Sequence, residues 1–270
     1  MSSQVELERT DPIGIQPLTP GQRDLDDGVI SRAAEALEHA GPGEILEWAF
    51  NQFGDRVTIA TGFGAEGISL IDMAVAINSE ADVFFLDTGF LFPETYGLRR
   101  RLEDRYGIQI RSVSTNLSPE RQQELYGARL WESDPDLCCR LRKLEPLRIA
   151  LHGYDAWVTA IRRDQSAVRA SALAVEWDSK WNLVKVNPLV RSSRADVWRY
   201  IVRNELPYNP LHDRGYPSIG CTHCTQPVAQ GEHERAGRWR GGNKTECGLH
   251  GPAEPVYIER RAQEPVLETN

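Results

Sequence analysis

Between Arg56 and Ala160 the chain alternates short, nearly continuous apolar runs with longer segments of helical periodicity, an order that restricts it to an α/β architecture. Arg56–Ala60, Asp82–Leu86, Ile108–Val113 and Ala156–Ala160 read as buried strands. Helices are expected over the stretch carrying Ile68, Leu70, Ile71, Met73, Val75 and Ala76, and from Pro93 to Tyr106. Upstream, Ala33, Ala34, Leu37, Ile45, Leu46 and Trp48 predict two helical segments broken at Gly41-Pro42-Gly43, with order beginning near Ser31. Val175 to Val186 reads as an added hairpin. The expected fold is an open, mostly parallel sheet with helices on both faces.

The ends have a different character. Residues 1–27 are polar, contain Pro12, Pro17 and Pro20, and read as a flexible arm before a main domain over 28–230. From Pro207 onward the chain is rich in Gly, Pro, Arg and His, so a metal or ligand is needed to order it. Residues 231–270 are expected to form a mobile C-terminal segment. A net charge of −8 argues against nucleic acid and anionic membranes as partners, yet leaves room for an anionic small molecule in a local basic pocket. No run approaches the roughly 20 apolar residues of a membrane span. The N-terminal stretch reads as neither signal nor transit peptide, which points to the reducing cytoplasm. Paired cysteines there mean metal or redox chemistry more often than disulfides.

Thr61-Gly-Phe-Gly-Ala-Glu-Gly67 falls between the first strand and its helix, where backbone N–H groups and a helix dipole converge on an anion. It is neither a P-loop nor a dinucleotide fingerprint. Gly62, Phe63 and Gly64 are therefore candidate ligand contacts, while a tight connection needing glycine only for backbone shape explains the turn equally well. Leu86, Asp87 and Thr88 end the second strand, at the edge where open α/β sheets bind ligands. Asp87 and Thr88 also suit a capping role ahead of Pro93.

Five cysteines fall in a two, two and one pattern: Cys138 with Cys139, Cys221 with Cys224, and Cys247 alone. The first pair precedes a predicted helix from Arg140 to Leu151, which places it at a helix N-terminus with Arg142 and Lys143 each four residues on. Adjacent cysteines form no zinc knuckle without strain, so the set favours an iron–sulfur cluster over zinc, with buried free thiols as the remaining alternative. Cys247 follows Arg235, Arg238, Arg240 and Lys244, cations that depress a thiol pKa and attract an anionic substrate. His250 is placed to steady the thiolate or protonate a leaving oxygen. Taken alone, Cys247 also reads as a free thiol in a solvated basic tail.

Together, the Cys138–Leu147 segment CCRLRKLEPL, Arg162-Arg-Asp-Gln-Ser166, Gly220-Cys-Thr-His-Cys224 and Glu246-Cys-Gly-Leu-His250 closely resemble the assimilatory adenylyl-sulfate reductases, from about Arg56 to His250. The resemblance implies an adenine nucleotide α-hydrolase-like fold. It implies one [4Fe-4S] cluster on Cys138, Cys139, Cys221 and Cys224, and catalysis by Cys247 with His250. Lys143, Arg235, Arg238 and His250 would hold the phosphosulfate, with Leu86 and Ala160 at the nucleotide. Arg162 and Arg163 belong to the matching motifs and are candidate substrate contacts. The chain departs from the family at the glycine-rich turn, where Thr61, Phe63 and Gly67 replace two serines and an acidic residue.

The implied activity is reduction of adenylyl sulfate to sulfite and AMP through an S-sulfocysteine. No cysteine is left over to resolve that intermediate, so thioredoxin or a glutaredoxin acts in trans, and a homo-oligomer is compatible with this scheme. A reductase of the 3′-phosphorylated substrate is the nearest alternative. An iron–sulfur tRNA-thiolating enzyme would need an ATP pyrophosphatase loop and a basic face, and a zinc-stabilised binding module would leave the glycine turn and Cys247 idle.

Overall fold

A computed structural model describes residues 27–242 and 244–250. Helices α1 (Asp27–Leu37) and α2 (Pro42–Phe53) lead into β1 (Val57–Thr61), α3 (Ala65–Ile77), β2 (Val83–Asp87), α4 (Pro93–Tyr106) and β3 (Arg111–Ser114). After α5 (Pro119–Tyr126) and α6 (Leu130–Ser133), one helical rod follows. It consists of α7 (Pro135–Cys139), a π-helical turn (Arg140–Leu144) and α8 (Glu145–Ala150). Strands β4 (Ala156–Val158), β5 (Val175–Asp178) and β6 (Leu183–Val186) precede α9 (Arg194–Arg203).

The six strands are ordered β3-β2-β1-β4-β6-β5, all parallel except β5, which joins the edge antiparallel to β6. The hairpin is therefore part of the main sheet, since β6 pairs with β4 through Trp157 opposite Lys185. Alternation along each strand separates two cores. Ile59, Val83, Phe85, Val158 and Val186 face one layer with α1, α2, α3 and α9, whereas Phe84, Trp157 and Leu183 face the other with Leu147, Ala150 and Leu151. Successive strands step from β1 to β2 to β3, and β4 then pairs on the opposite side of β1. The order thus reverses at β1 and β4, opening a crevice at their carboxyl ends.

Local chemistry explains the boundaries. Pro93 at the first turn and Gly107 with φ 65° bracket α4 as expected. β3 starts later than expected because Ile110 donates its N–H to Glu103 Oε1 and its carbonyl accepts from Arg99, which ties that residue to α4. Cys138 and Cys139 were expected at a helix N-terminus, but Asp134 caps the Leu137 N–H at 2.9 Å and Pro135 opens the helix, so the pair lies one turn inside. The expected arm at 1–27 lies almost wholly outside the described residues, and Asp27 begins α1. No helix among the described residues is long and apolar enough to cross a membrane.

Candidate active site

A cavity of about 240 Å³ opens at the carboxyl ends of β1, β2 and β4. Thr61, Gly62 and Gly64 from the glycine-rich turn form one side, and Leu86 and Thr88 form another with Thr159 and Ala160. Phe84, Leu147 and Trp157 give it an apolar wall suited to a planar ring. Cations Lys143, Arg169, Arg235 and Arg238 line the remainder together with Cys247 and His250.

The turn's shape follows from three residues. Phe63 sits at φ 56°, which costs a non-glycine residue roughly 1–2 kcal/mol. Its ring recovers this by burial against Phe85, with centroids 5.2 Å apart. Thr61 Oγ1 accepts the Phe63 N–H at 3.1 Å, and a Cβ on Gly67 would stand 2.7 Å from that oxygen. Thr61 and Gly67 are thus a matched pair. Gly64 supplies no side-chain cap to α3, so the first N–H groups of that 13-residue helix are left for an anion at the cavity edge.

The four paired cysteines are buried free thiols around one small gap of about 10 Å³, which Phe90, Trp131, Arg142, Lys143 and His223 also line. They come together because Cys221 bridges to Leu91 after β2, with the Thr222 N–H on Phe90 O at 2.8 Å. Thr88 Oγ1 lies 3.3 Å from Cys221 Sγ, and Lys143 Nζ lies 4.0 Å from Cys139 Sγ. Burial pushes the Cys138 and Cys224 thiols up to about 11, and the neighbouring cysteines add to the rise. No three His, Cys, Asp or Glu side chains among the described residues converge tightly enough for a single ion. The donor set itself, four thiols lining one gap with Arg142 and Lys143 alongside, is of the kind that suits a thiolate-bound cluster carrying net negative charge.

Cys247 packs against Cys139, Cys221, Cys224 and Trp239 and also faces the main cavity. Burial pushes its thiol up, but Lys143, the Leu249 N–H and Arg238 more than offset this, and the net direction is down. Arg235, lowered by burial to about 10, stays cationic at neutral pH and donates to Glu246 and the Thr245 carbonyl. Arg238 lies over Trp239 at 4.6 Å and donates to Ser218 Oγ. His250 was expected as a phosphosulfate-binding cation. It stacks on Trp157 at 5.6 Å, and burial together with Arg169, Lys185 and Arg235 holds it well below the usual imidazole value, so here it is neutral.

Four expected contacts fall outside the cavity lining. Phe63 is in the core, and Asp87 accepts from Tyr96 Oη and the Gly89 N–H in the manner of a cap. Arg162 is fully buried among Glu66, Asp164 and Glu234. Arg163 holds Glu38 at 2.7 and 2.9 Å. Thr159 joins the lining as a strand-end neighbour of Ala160, while Trp157, Gln165, Arg169 and Glu234 line the cavity unforeseen. Position at a strand end was a usable signal for Thr159, whereas Arg169 and Glu234 carried none.

Residues 56–227 match the phosphoadenosine phosphosulfate reductase domain family. The adenosine 5′-phosphosulfate reductase of Halalkalibacterium halodurans is 48% identical over 82% of this chain and 96% of its own. The phosphoadenosine 5′-phosphosulfate reductase of Gloeobacter violaceus is 46% identical over 84% and 95%. Among solved structures, the phosphoadenylyl-sulfate reductase of Candida auris superposes with a TM-score of 0.67 at 31% identity, covering 78% of this chain and all of that one. The FMN adenylyltransferase of Candida glabrata, at 13% identity and a TM-score of 0.54 over 78% and 68%, shares the adenine nucleotide α-hydrolase-like fold alone. A cavity at the strand ends that joins cations to a thiol, in a sequence matched over this much of its length, leads to one conclusion: the chain belongs to the phosphoadenosine phosphosulfate reductase family.

Proposed function

We propose that the chain reduces adenylyl sulfate to sulfite and AMP with electrons from a dithiol protein. The observation that carries this reading is that Cys247 shares one cavity with Lys143, Arg235 and Arg238, opposite an apolar wall. The Cys247 thiolate attacks the sulfur of adenylyl sulfate, the bond from sulfur to the bridging oxygen breaks, and AMP leaves with that oxygen and its electron pair. Lys143, Arg235 and Arg238 offset charge on the sulfo group and on the departing phosphate. A thiolate of thioredoxin or a glutaredoxin then attacks Cys247 Sγ and sulfite leaves with the electron pair of the S–S bond. The partner's second thiol resolves the mixed disulfide and returns Cys247 as a thiol. Sulfur falls from +6 to +4 and the dithiol becomes a disulfide.

Cys138, Cys139, Cys221 and Cys224 would hold one [4Fe-4S] cluster, whose chemistry here is electrostatic and organising. Neutral His250 serves as a hydrogen-bonding group on the sulfo oxygens or the leaving phosphate. Residues 28–230 would act as the reductase domain and 231–270 as the segment that brings Cys247 over the substrate. We place the reaction in the cytoplasm, where thiols stay reduced. A homo-oligomer remains compatible with this scheme. The Gloeobacter relative's name favours a second reading, in which the 3′-phosphorylated substrate is also used. The deciding experiment incubates wild type and Cys247→Ser with adenylyl sulfate and records intact mass. Only the wild type should gain one sulfo group, and a stable adduct on the serine variant would overturn the assignment.

A further inference from the structure

Glu246, directly before Cys247, has a side chain only 9% exposed, and its carboxylate takes four hydrogen bonds. Ser166 Oγ donates at 3.0 Å, Arg169 donates from Nε and an Nη, both at 3.0 Å, and Arg235 donates at 2.9 Å. Arg169 and Arg235 line the cavity, whereas Glu246 does not. The other polar ties on this segment are single bonds, including one from Arg235 to the Thr245 carbonyl at 2.9 Å. Lys180 donates to Gly248 O at 2.6 Å and Trp181 to Leu249 O at 3.3 Å, while Lys244 pairs with Asp136, which is 82% exposed. Glu246 alone among these fastens the segment by a buried, multiply bonded charge.

We infer that Glu246 is the positioning residue that seats Cys247 in the cavity, so that its hold on Ser166, Arg169 and Arg235 sets how often the thiol is presented inward rather than released. The inference rests on the reading of Cys247 as the nucleophile. The two half-reactions need opposite states of one segment: sulfonation needs the thiol among the cations, and a protein dithiol needs it accessible. Of the partners of this carboxylate, Ser166 and Arg169 stay on the body when Glu246 leaves, while Arg235 lies within 231–270 and moves with it, so that the segment separates as a unit. Glu246→Gln keeps the shape, removes the charge and turns an amide N–H toward a guanidinium.

The test uses anaerobically purified full-length protein and reads alkylation of Cys247 by iodoacetamide on its own peptide by mass spectrometry. Rates are taken at the alkaline plateau, where the thiol is fully ionised and a changed thiol pKa drops out. The plateau rate should rise about tenfold in Glu246→Gln, with Glu246→Asp between it and wild type. Hydrogen exchange should accelerate in residues 244–250 and not in α3 or β1. A plateau within twofold of wild type, or faster exchange throughout the chain, overturns the inference. Should Glu246→Gln fail to fold, Ser166→Ala decides, with about a threefold rise expected and an unchanged rate overturning the inference. Alkylation needs no substrate. A wild-type protein that takes no sulfo group would sink the proposed reaction, and the alkylation series would still judge Glu246.

Discussion

Lys143 Nζ stands 4.0 Å from Cys139 Sγ, one turn back along the same helix, and lines the cavity that Cys247 faces. The π-helical turn Arg140–Leu144 sets this reach. It also carries Arg142, which turns away to Gln122 Oε1 at 2.6 Å and Thr88 O at 2.8 Å. Burial pushes the Lys143 ammonium down, but the charges of Cys221, Cys139 and Cys247 more than compensate, so it stays cationic. One buried cation therefore lies beside both the paired cysteines and the lone thiol of Cys247, and the two sites are joined through a single side chain.

Lys143→Ala should lower kcat/KM for adenylyl sulfate by about 10²–10³, the usual loss when a preorganised charge-stabilising donor is removed. Stopped-time assays of sulfite release over a range of substrate concentrations check this. Lys143→Arg should not recover the rate, because a planar fork does not fit where a compact ammonium is buried between the cavity and Cys139. A variant within tenfold of wild type would remove Lys143 from the transition state.

Gly237 and Gly220 predict different failures. A Cβ on Gly237 would run into the Gln226 carbonyl, which is backbone, so Gly237→Ala should cost about 1–3 kcal/mol of stability in denaturant titrations. A Cβ on Gly220 would meet only the guanidinium end of Arg238, a movable group. Gly220→Ala should therefore keep most of its stability and raise KM as Arg238 is displaced from the cavity. Equal stability losses in the two variants would refute the distinction.

Asp82 at the start of β2 accepts from Thr58 Oγ1, Tyr154 Oη and Arg111 at 2.5–2.8 Å. Burial pushes its carboxyl up, but Arg111 and the two hydroxyls outweigh this and the net direction is down. With the folded value below the unfolded one of about 3.9, the stability gained is fully present above that value. It is lost as pH falls through the folded value. Asp82→Asn should flatten the acid limb of the stability curve below about pH 4 and leave the limb above pH 6 parallel to wild type. Melting temperatures across pH 2.5–7 provide the measurement, and identical acid limbs would refute the assignment.

Much of this architecture was legible because it is encoded locally. Pro93 and Gly107 punctuate α4, and continuous apolar runs mark the strands buried on both faces. The partners of charged side chains were not legible, because they are chosen across the fold. Arg162 and Arg163 sit in a motif that reads as cationic, yet they pair with Glu66, Glu234 and Glu38, 72 to 125 positions away. Arg169 lines the cavity and pairs with Glu246, 77 positions on, a partner that no local pattern announces. The protonation of His250 was equally hidden, since it depends on the burial and the cations that the fold places around it.

The division of the cysteines makes the sharpest claim about metal. Cys138, Cys139, Cys221 and Cys224 share one small gap, while Cys247 packs beside them and faces the main cavity. If four thiols hold the cluster and the fifth reacts, replacing any of the four by serine should lower iron and acid-labile sulfide well below the roughly four irons expected per chain. The visible absorption should fall with them, and the loop at Cys221 should become open to protease, since a bound group orders such a loop. Cys247→Ser should keep its iron, its sulfide and its colour while forming no adduct with adenylyl sulfate. Iron lost from Cys247→Ser as fully as from Cys221→Ser would make the lone cysteine a ligand, and the nucleophile would have to be sought elsewhere.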